Sequence, residues 1–328
     1  MIRLLEQAGP HTCHPGGSAS NVVRAAARFG ATARLVGARA DDRNGELYAT
    51  SLRDAGICTK HLIIKTKDVD GTPLSTASCC VISNGGQRPQ RSMRTMFANT
   101  ARLEVSELRK ELLENSKYLF VSSYACYFEG MISKLVELGA EAGCKIFLDL
   151  GSFEIVNAFS GEIDRVFGNV DICVCNEDEA AAFSELHSVG PDGPGRQSNG
   201  LETTDPHRAF DATAQWMLGH GVKSAVIVTL GDRGCILYER ADAARGDKLF
   251  EKRVYPAIDP ESSVVDSTGA GDAFCGGMLF ALSKGMDMAR AVEIASTAGS
   301  AAVKSVGAVL DDDALAWFHR MHRLQRDS

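Results

Sequence analysis

The sequence predicts an α/β protein: a mostly parallel sheet with helices on both faces, plus a small β flap. Three observations carry this. Short apolar, partly β-branched runs (residues 118–121, 145–150, 171–175 and 224–230) recur along the middle of the chain. Amphipathic helical patterns, such as residues 129–142 and 206–218, separate them. Strands buried on both faces read as continuous apolar runs, and the intervening helices cover those faces. Third, residues 60–97 carry strand-like runs (61–65, 75–82 and 91–97) and no helical period. They are broken by Asp70-Gly71 and by Asn84-Gly85-Gly86, turn pairs that favour antiparallel hairpins.

The remaining elements follow in order. Residues 188–205 are rich in Gly, Pro and polar side chains and read as a mobile surface insertion. Val264 and Val265 read as the end of a strand, and residues 272–283 as a helix. Residues 311–323 read as a capped terminal helix that offers Ala314, Leu315, Trp317, Phe318 and Met321 to a core. With no internal repeat and no interdomain linker, the 328 residues are expected to form one domain.

Composition narrows the function. Apolar residues at 45% and charged residues at 23% are ordinary for a soluble globular protein. A net charge of −7 argues against a nucleic-acid binder, which needs surplus Lys and Arg. No apolar run is long enough to span a bilayer, and residues 1–15 contain no secretory core. Ten cysteines, mostly in apolar stretches, read as reduced, buried thiols and a cytoplasmic location. Cys173-Val174-Cys175 lacks a second pair at zinc-ligand spacing.

The chemistry concentrates in residues 265–278, VDSTGAGDAFCGGM. Gly269-Ala270-Gly271 falls where a helix begins, and backbone N–H groups there have no intrahelical acceptor. Small side chains let a phosphate approach those amides. Asp272, in the first helical turn, could take a hydroxyl proton beside a bound phosphate. In isolation the same four residues fit a tight turn with a helix-capping Asp.

DSTGAGDAF-x-GG resembles the C-terminal signature of the PfkB, or ribokinase-like, carbohydrate kinases. A second match lies upstream: Pro15-Gly-Gly-Ser-Ala-Ser-Asn21, then Leu35-Val-Gly37 and Asp41-Asp42-x-x-Gly45. The resemblance covers roughly residues 15–310. It implies a three-layer α/β/α fold with a small β lid. The implied activity is ATP-dependent phosphorylation of a hydroxymethyl group on a sugar or nucleoside, with Asp272 as general base.

The resemblance also assigns roles by position. Gly269, Ala270 and Gly271 match the anion hole, and Gly16, Gly17 and Asn21 match substrate-binding positions. The last three would equally suit a glycine turn opening a helix. Thr229, Gly231 and Gly234 match the T-x-G-x-x-G nucleotide loop, for which a plain β-turn is the alternative. Asn176 and Glu179 match the N-x-x-E motif, which organises Mg²⁺ largely through water; an acidic helix N-terminus would look alike. Asp266 and Thr268 match positions that in many relatives bind a monovalent cation such as K⁺. The lid, residues 60–97, is similar to one that pairs subunits into homodimers in ribokinase-like members. P-loop and dinucleotide-binding fingerprints are absent, and the eight histidines show no ligand spacing.

Two departures stand out. Members of the family open with a β-strand bearing an Asp that grips substrate hydroxyls, whereas residues 1–15 hold neither a strand-like run nor an Asp. The alternative to an active kinase is therefore an N-terminally truncated or non-catalytic PfkB-like protein, which phosphorylates sugars weakly or not at all and binds nucleotide or a partner in a regulatory role. The lid turn, residues 84–94, is long and basic, with Arg88, Arg91 and Arg94 offering contacts to an anionic substrate or a solvated loop. Arg91-Ser-Met-Arg-Thr95 resembles the adenosine-kinase-like branch.

Overall fold

The structure is a computed structural model that describes residues 13–83, 91–96, 98–189, 208–242, 248–261 and 264–324. Residues 1–12, Arg88 and nearly all of the 188–205 segment lie outside the described residues, and so do most of the expectations attached to them.

In chain order the elements are α1 (Ser18–Phe29), β1 (Arg34–Ala40), α2 (Arg43–Asp54), β2 (Cys58–Lys65), β3 (Ser78–Ser83) and β4 (Arg91–Met96). Next come β5 (Tyr118–Ser122), α3 (Met131–Glu141), β6 (Lys145–Asp149), α4 (Phe153–Val166), β7 (Ile172–Asn176) and α5 (Glu177–Leu186). The chain continues through α6 (Arg208–Gly219), β8 (Ala225–Thr229), β9 (Cys235–Arg240) and β10 (Phe250–Tyr255) to α7 (Ala270–Ser283), α8 (Met288–Ala302) and α9 (Asp312–Leu324). The chain divides into two compact units.

One unit comprises residues 104–259 and 281–296. It holds a six-stranded sheet in the order β10-β9-β8-β7-β6-β5. Strands β5 to β8 run parallel, and β9 and β10 turn antiparallel at one edge. The apolar runs end within about a residue of where the sequence put them. Ala225, Val226, Ile227 and Val228 are all buried, as a strand covered on both faces requires. Phe167, Phe183 and Tyr238 are the largest fully buried side chains of this core, and Phe147 of β6 is also fully buried.

The other unit comprises the residues up to 103, with 260–280 and 297–328. Here β1 and β2 pair in parallel, and β3 and β4 pair antiparallel. The flap therefore departs from the expected run of hairpins. Its first strand belongs with β1 through a helical crossover, because Leu52, Ile57 and Leu62 must share one core with Leu35. Asp70-Gly71 does make a tight turn, with Asp68 accepting from the Asp70 and Thr72 amides. Val264 and Val265 form no strand; Val265 N–H bonds Val303 O in a loop.

Three local devices shape the helices that matter. Helix α1 is Ala-rich and stops at Gly30, whose φ of 111° lets the Ala31 amide reach back to Ala26 O. Asp42 caps α2 by accepting from Gly45 N–H at 2.7 Å, and also accepts from the Thr76 amide (2.8 Å) and hydroxyl (2.6 Å). A Cβ at Gly45 would sit 2.3 Å from Ala40 O, which explains the Asp-x-x-Gly spacing. Asp311 caps α9 through Ala314 N–H, and α9 buries Ala314, Trp317 and Phe318.

Candidate active site

Helices α1 and α7 lie side by side and run in the same direction. Three rungs show it: Asp272 meets Ser18 and Asn21, Gly276 meets Val22 and Ala25, and Phe280 meets Phe29. A Cβ on Gly276 would fall 2.7 Å from Ala25 Cβ and 2.8 Å from Val22 O, so the crossing needs the glycine. One turn earlier, this close approach brings the Asp272 carboxylate against α1. Its Oδ1 accepts from Ser18 Oγ and its Oδ2 from Asn21 Nδ2, each at 2.8 Å.

Burial pushes the Asp272 carboxyl above the usual carboxylate range; the Asn21 and Ser18 hydrogen bonds and the Arg24 charge pull it back. Asp272 follows the glycine turn. At φ 77°, with a would-be Cβ 2.6 Å from Ala308 Cα, position 269 admits glycine alone. Gly271 is exposed, and no atom of the described residues lies within 4 Å of where its Cβ would be. The three-residue cradle read from the sequence is not uniform. Ala270 N–H donates to Ser267 O at 3.3 Å, while Ala273 N–H closes the first turn on Gly269 O. The Gly271 amide lies between them, in the first turn, where helix geometry supplies no acceptor.

Gly17 (φ 95°) is the N-cap of α1, and Gly16 has open space where a side chain would go. Asp266 and Thr268 form a closed loop tie: Asp266 accepts from Thr268 N–H (2.9 Å), Thr268 Oγ1 (2.7 Å) and Gly307 N–H (2.9 Å).

The other predicted positions share one sheet edge in the six-stranded unit. Asn176 and Thr229 are partners in register at the C-terminal ends of β7 and β8, the edge where open α/β sheets take ligands. Gly231 and Gly234 both hold positive φ. A Cβ on Gly234 would lie 2.0 Å from Tyr255 O, so the loop needs glycine there to pass the end of β10.

Asn176 and Glu179 build a reciprocal capping box. Glu179 accepts from Asn176 N–H (2.9 Å) and Nδ2 (2.8 Å), and Asn176 Oδ1 accepts from Glu179 N–H (2.9 Å). Burial raises the Glu179 carboxyl to about 7, against the pull of the Asn176 backbone bond. With both oxygens so engaged, and no cluster of three or more His, Cys, Asp or Glu suited to a metal among the described residues, direct ligation does not fit. The chemistry of the pair suits hold of a cation through water.

Sequence reasoning missed Ser18, Arg24 and Thr76. Ser18 and Arg24 stand three residues either side of Asn21 on α1, so helical spacing alone marks one face. The cysteine reading holds for six buried thiols, but Cys13, Cys58 and Cys79 are exposed.

The chain belongs to the pfkB family of carbohydrate kinases, whose pattern matches residues 5–314. It is 26% identical over 306 residues to adenosine kinase 1 of Arabidopsis thaliana, across 89% of this chain and 79% of the relative. It is also 26% identical over 272 residues to fructokinase-1 of Oryza sativa subsp. japonica, across 81% and 72%. Among solved structures, ribokinase II from E. coli in complex with ATP and Mg²⁺ superposes with a TM-score of 0.70 at 20% identity, covering 95% of this chain and 94% of that one. The chain is thus a phosphotransferase of the sugar and nucleoside kinases. Among the described residues no helix is long and apolar enough to cross a membrane.

Proposed function

We propose that this kinase transfers the terminal phosphoryl group of ATP to a hydroxymethyl group of a sugar or nucleoside, with Asp272 as general base. The observation that supports it most is the placement of the Asp272 carboxylate. It stands one residue past Gly271, an exposed residue of the first helical turn, and is held by Ser18 and Asn21.

In this reading Asn21, with Gly16 and Gly17, orients the acceptor so that its hydroxyl faces Asp272. Asp272 takes the proton as the oxygen attacks phosphorus, and the Gly269–Gly271 turn stabilises charge on the transferred group. Catalysis rests on positioning and charge neutralisation, with no covalent enzyme intermediate. Thr229, Gly231 and Gly234 bind the nucleotide. Mg²⁺, when bound, neutralises phosphate charge, and Asn176 and Glu179 would hold it through water. A K⁺ beside Asp266 and Thr268 would draw on neighbouring carbonyl oxygens, because the Asp266 carboxylate already accepts three hydrogen bonds. The β3–β4 lid exposes Val81, Met93 and Met96, which suits a homodimer through the lid.

The test is ADP release from ATP with adenosine, D-fructose and a panel of sugars and sugar acids, each with and without Mg²⁺. Acceptor-dependent ADP release supports the reading. Nucleotide binding by calorimetry, without transfer to any acceptor, would select a non-catalytic role.

A further inference from the structure

We infer that Arg24 is a positioning residue for Asp272, acting through the Asn21 amide and the Pro15 carbonyl. The inference rests on the reading of Asp272 as the base. Ser18, Asn21 and Arg24 recur every three residues, so α1 presents them along one face. Ser18 and Asn21 touch the carboxylate directly. Arg24 does not; its Nη2 donates to Asn21 Oδ1 at 3.3 Å and its Nη1 to Pro15 O at 3.2 Å.

Each bond has a consequence. An Asn side chain is nearly symmetric in shape, and turned over it would aim its oxygen at a carboxylate. A guanidinium on Oδ1 forbids that turn and commits Nδ2 to Asp272 Oδ2. Pro15 immediately precedes Gly16-Gly17, so the same planar fork also fixes the entry to the glycine turn.

Arg24 is 97% buried, being 3% exposed, and its Nε is buried with no hydrogen-bond partner among the described residues. A desolvated, incompletely bonded cation is a poor device for stability alone. Its charge acts on Asp272, and the other titratable group acting on Arg24 is Tyr48 of α2, whose hydroxyl bonds Ser20. Arg24 also lines a cavity of about 250 Å³ with His14, Pro15, Arg28 and Asp54, so a shorter side chain there meets space instead of a clash.

Arg24→Gln and Arg24→Lys, in the full chain, test this. ATP-dependent phosphorylation of adenosine and of D-fructose would be followed against pH, and the Asp272 carboxyl titrated by ¹³C NMR with Asp272→Asn as the assignment. Loss of the orienting group should lower kcat about 10- to 100-fold with a smaller change in KM. In Arg24→Gln the acid limb of the profile, and the carboxyl titration, should move to higher pH. Arg24→Lys, which keeps the charge but not the fork, should keep the limb in place while the plateau stays low.

Wild-type kcat with an unmoved limb in Arg24→Gln would overturn the inference. Should Arg24→Gln not fold, the Lys variant decides: a wild-type plateau refutes the positioning role and a lowered one supports it. If neither acceptor turns over, an unmoved carboxyl titration refutes it. Turnover by Asp272→Asn would instead remove the base reading beneath it, and the inference with it.

Discussion

The Asn21 side-chain amide donates to Asp272 Oδ2 at 2.8 Å, joining residues 251 positions apart. Two parallel helices make that contact possible, and a glycine one turn along sets how closely they approach. The consequences can be tested separately.

Two glycines of α7 should behave oppositely. At Gly276 an added methyl meets Ala25 Cβ and the backbone of Val22 and Ala26, all within 3.0 Å. Gly276→Ala should destabilise the fold by about 1–3 kcal/mol, because overpacking against backbone outweighs alanine's helix preference. At Gly271 the same methyl meets nothing, and stability should hold or rise by up to about 1 kcal/mol. Phosphoryl transfer should nonetheless fall in Gly271→Ala, as the methyl crowds the amide. Urea denaturation beside steady-state kinetics reads both; equal stability loss in the two variants would contradict the packing described.

Asn21→Leu removes a donor to a carboxylate. Such bonds contribute about 1.5–3 kcal/mol, which translates to a roughly 10- to 100-fold loss in kcat/KM. Asn21 is also among the groups that hold the Asp272 carboxyl down against burial. Without it the carboxyl titrates higher, and because the base must be ionised, the acid limb of the pH–rate profile should shift upward. A downward or absent shift would count against the assigned contact.

Much of this site was legible in the sequence. Gly16, Gly17, Asn21 and the Gly269–Asp272 run stood out because they match the two family signatures, and the structure brings Asn21 and Asp272 into contact. Arg24 and Ser18 did not stand out, since nothing in a linear sequence tells which helix α1 will pack against. The strands from Tyr118 to Thr229 were legible because burial on both faces leaves continuous apolar runs. The parallel partner of β2 was not, because pairing direction depends on the crossover through α2 and not on the residues of the strand. Glu179 carried two readings, a Mg²⁺-organising motif and an acidic helix N-terminus, and its hydrogen bonds display the helix N-terminus, closed as a capping box.

Glu179 should make stability fall with rising pH. Its folded carboxyl titrates at about 7, above its unfolded range, so the folded state keeps a proton that the unfolded chain has released. The favourable contribution is present in acid and is lost as pH rises through about 7. Glu179→Gln cannot lose it. Between pH 5 and pH 8, wild-type stability should therefore drop relative to Glu179→Gln in urea denaturation; a constant difference would show that the carboxyl is not raised.

The thiols should react in two classes. Cys13, Cys58 and Cys79 are exposed and Cys80 is partly so, whereas six others are buried. Burial pushes Cys126 up to about 12 and Cys235 to about 11, which suppresses the thiolate that would react. A thiol reagent at neutral pH should label three or four cysteines of the native protein and ten after unfolding. Rapid labelling of most thiols without unfolding would contradict this core.

The most direct measurement is made on Asp272→Asn, which keeps the side chain's size and can no longer accept the acceptor's proton. Calorimetry should find ATP bound about as well as by wild type, while turnover with the same acceptor falls by several orders of magnitude, on the scale of a lost general base. Near-normal turnover in that variant would mean the proton leaves by another route, and Asp272 would do no more than tie α7 to Ser18 and Asn21 of α1.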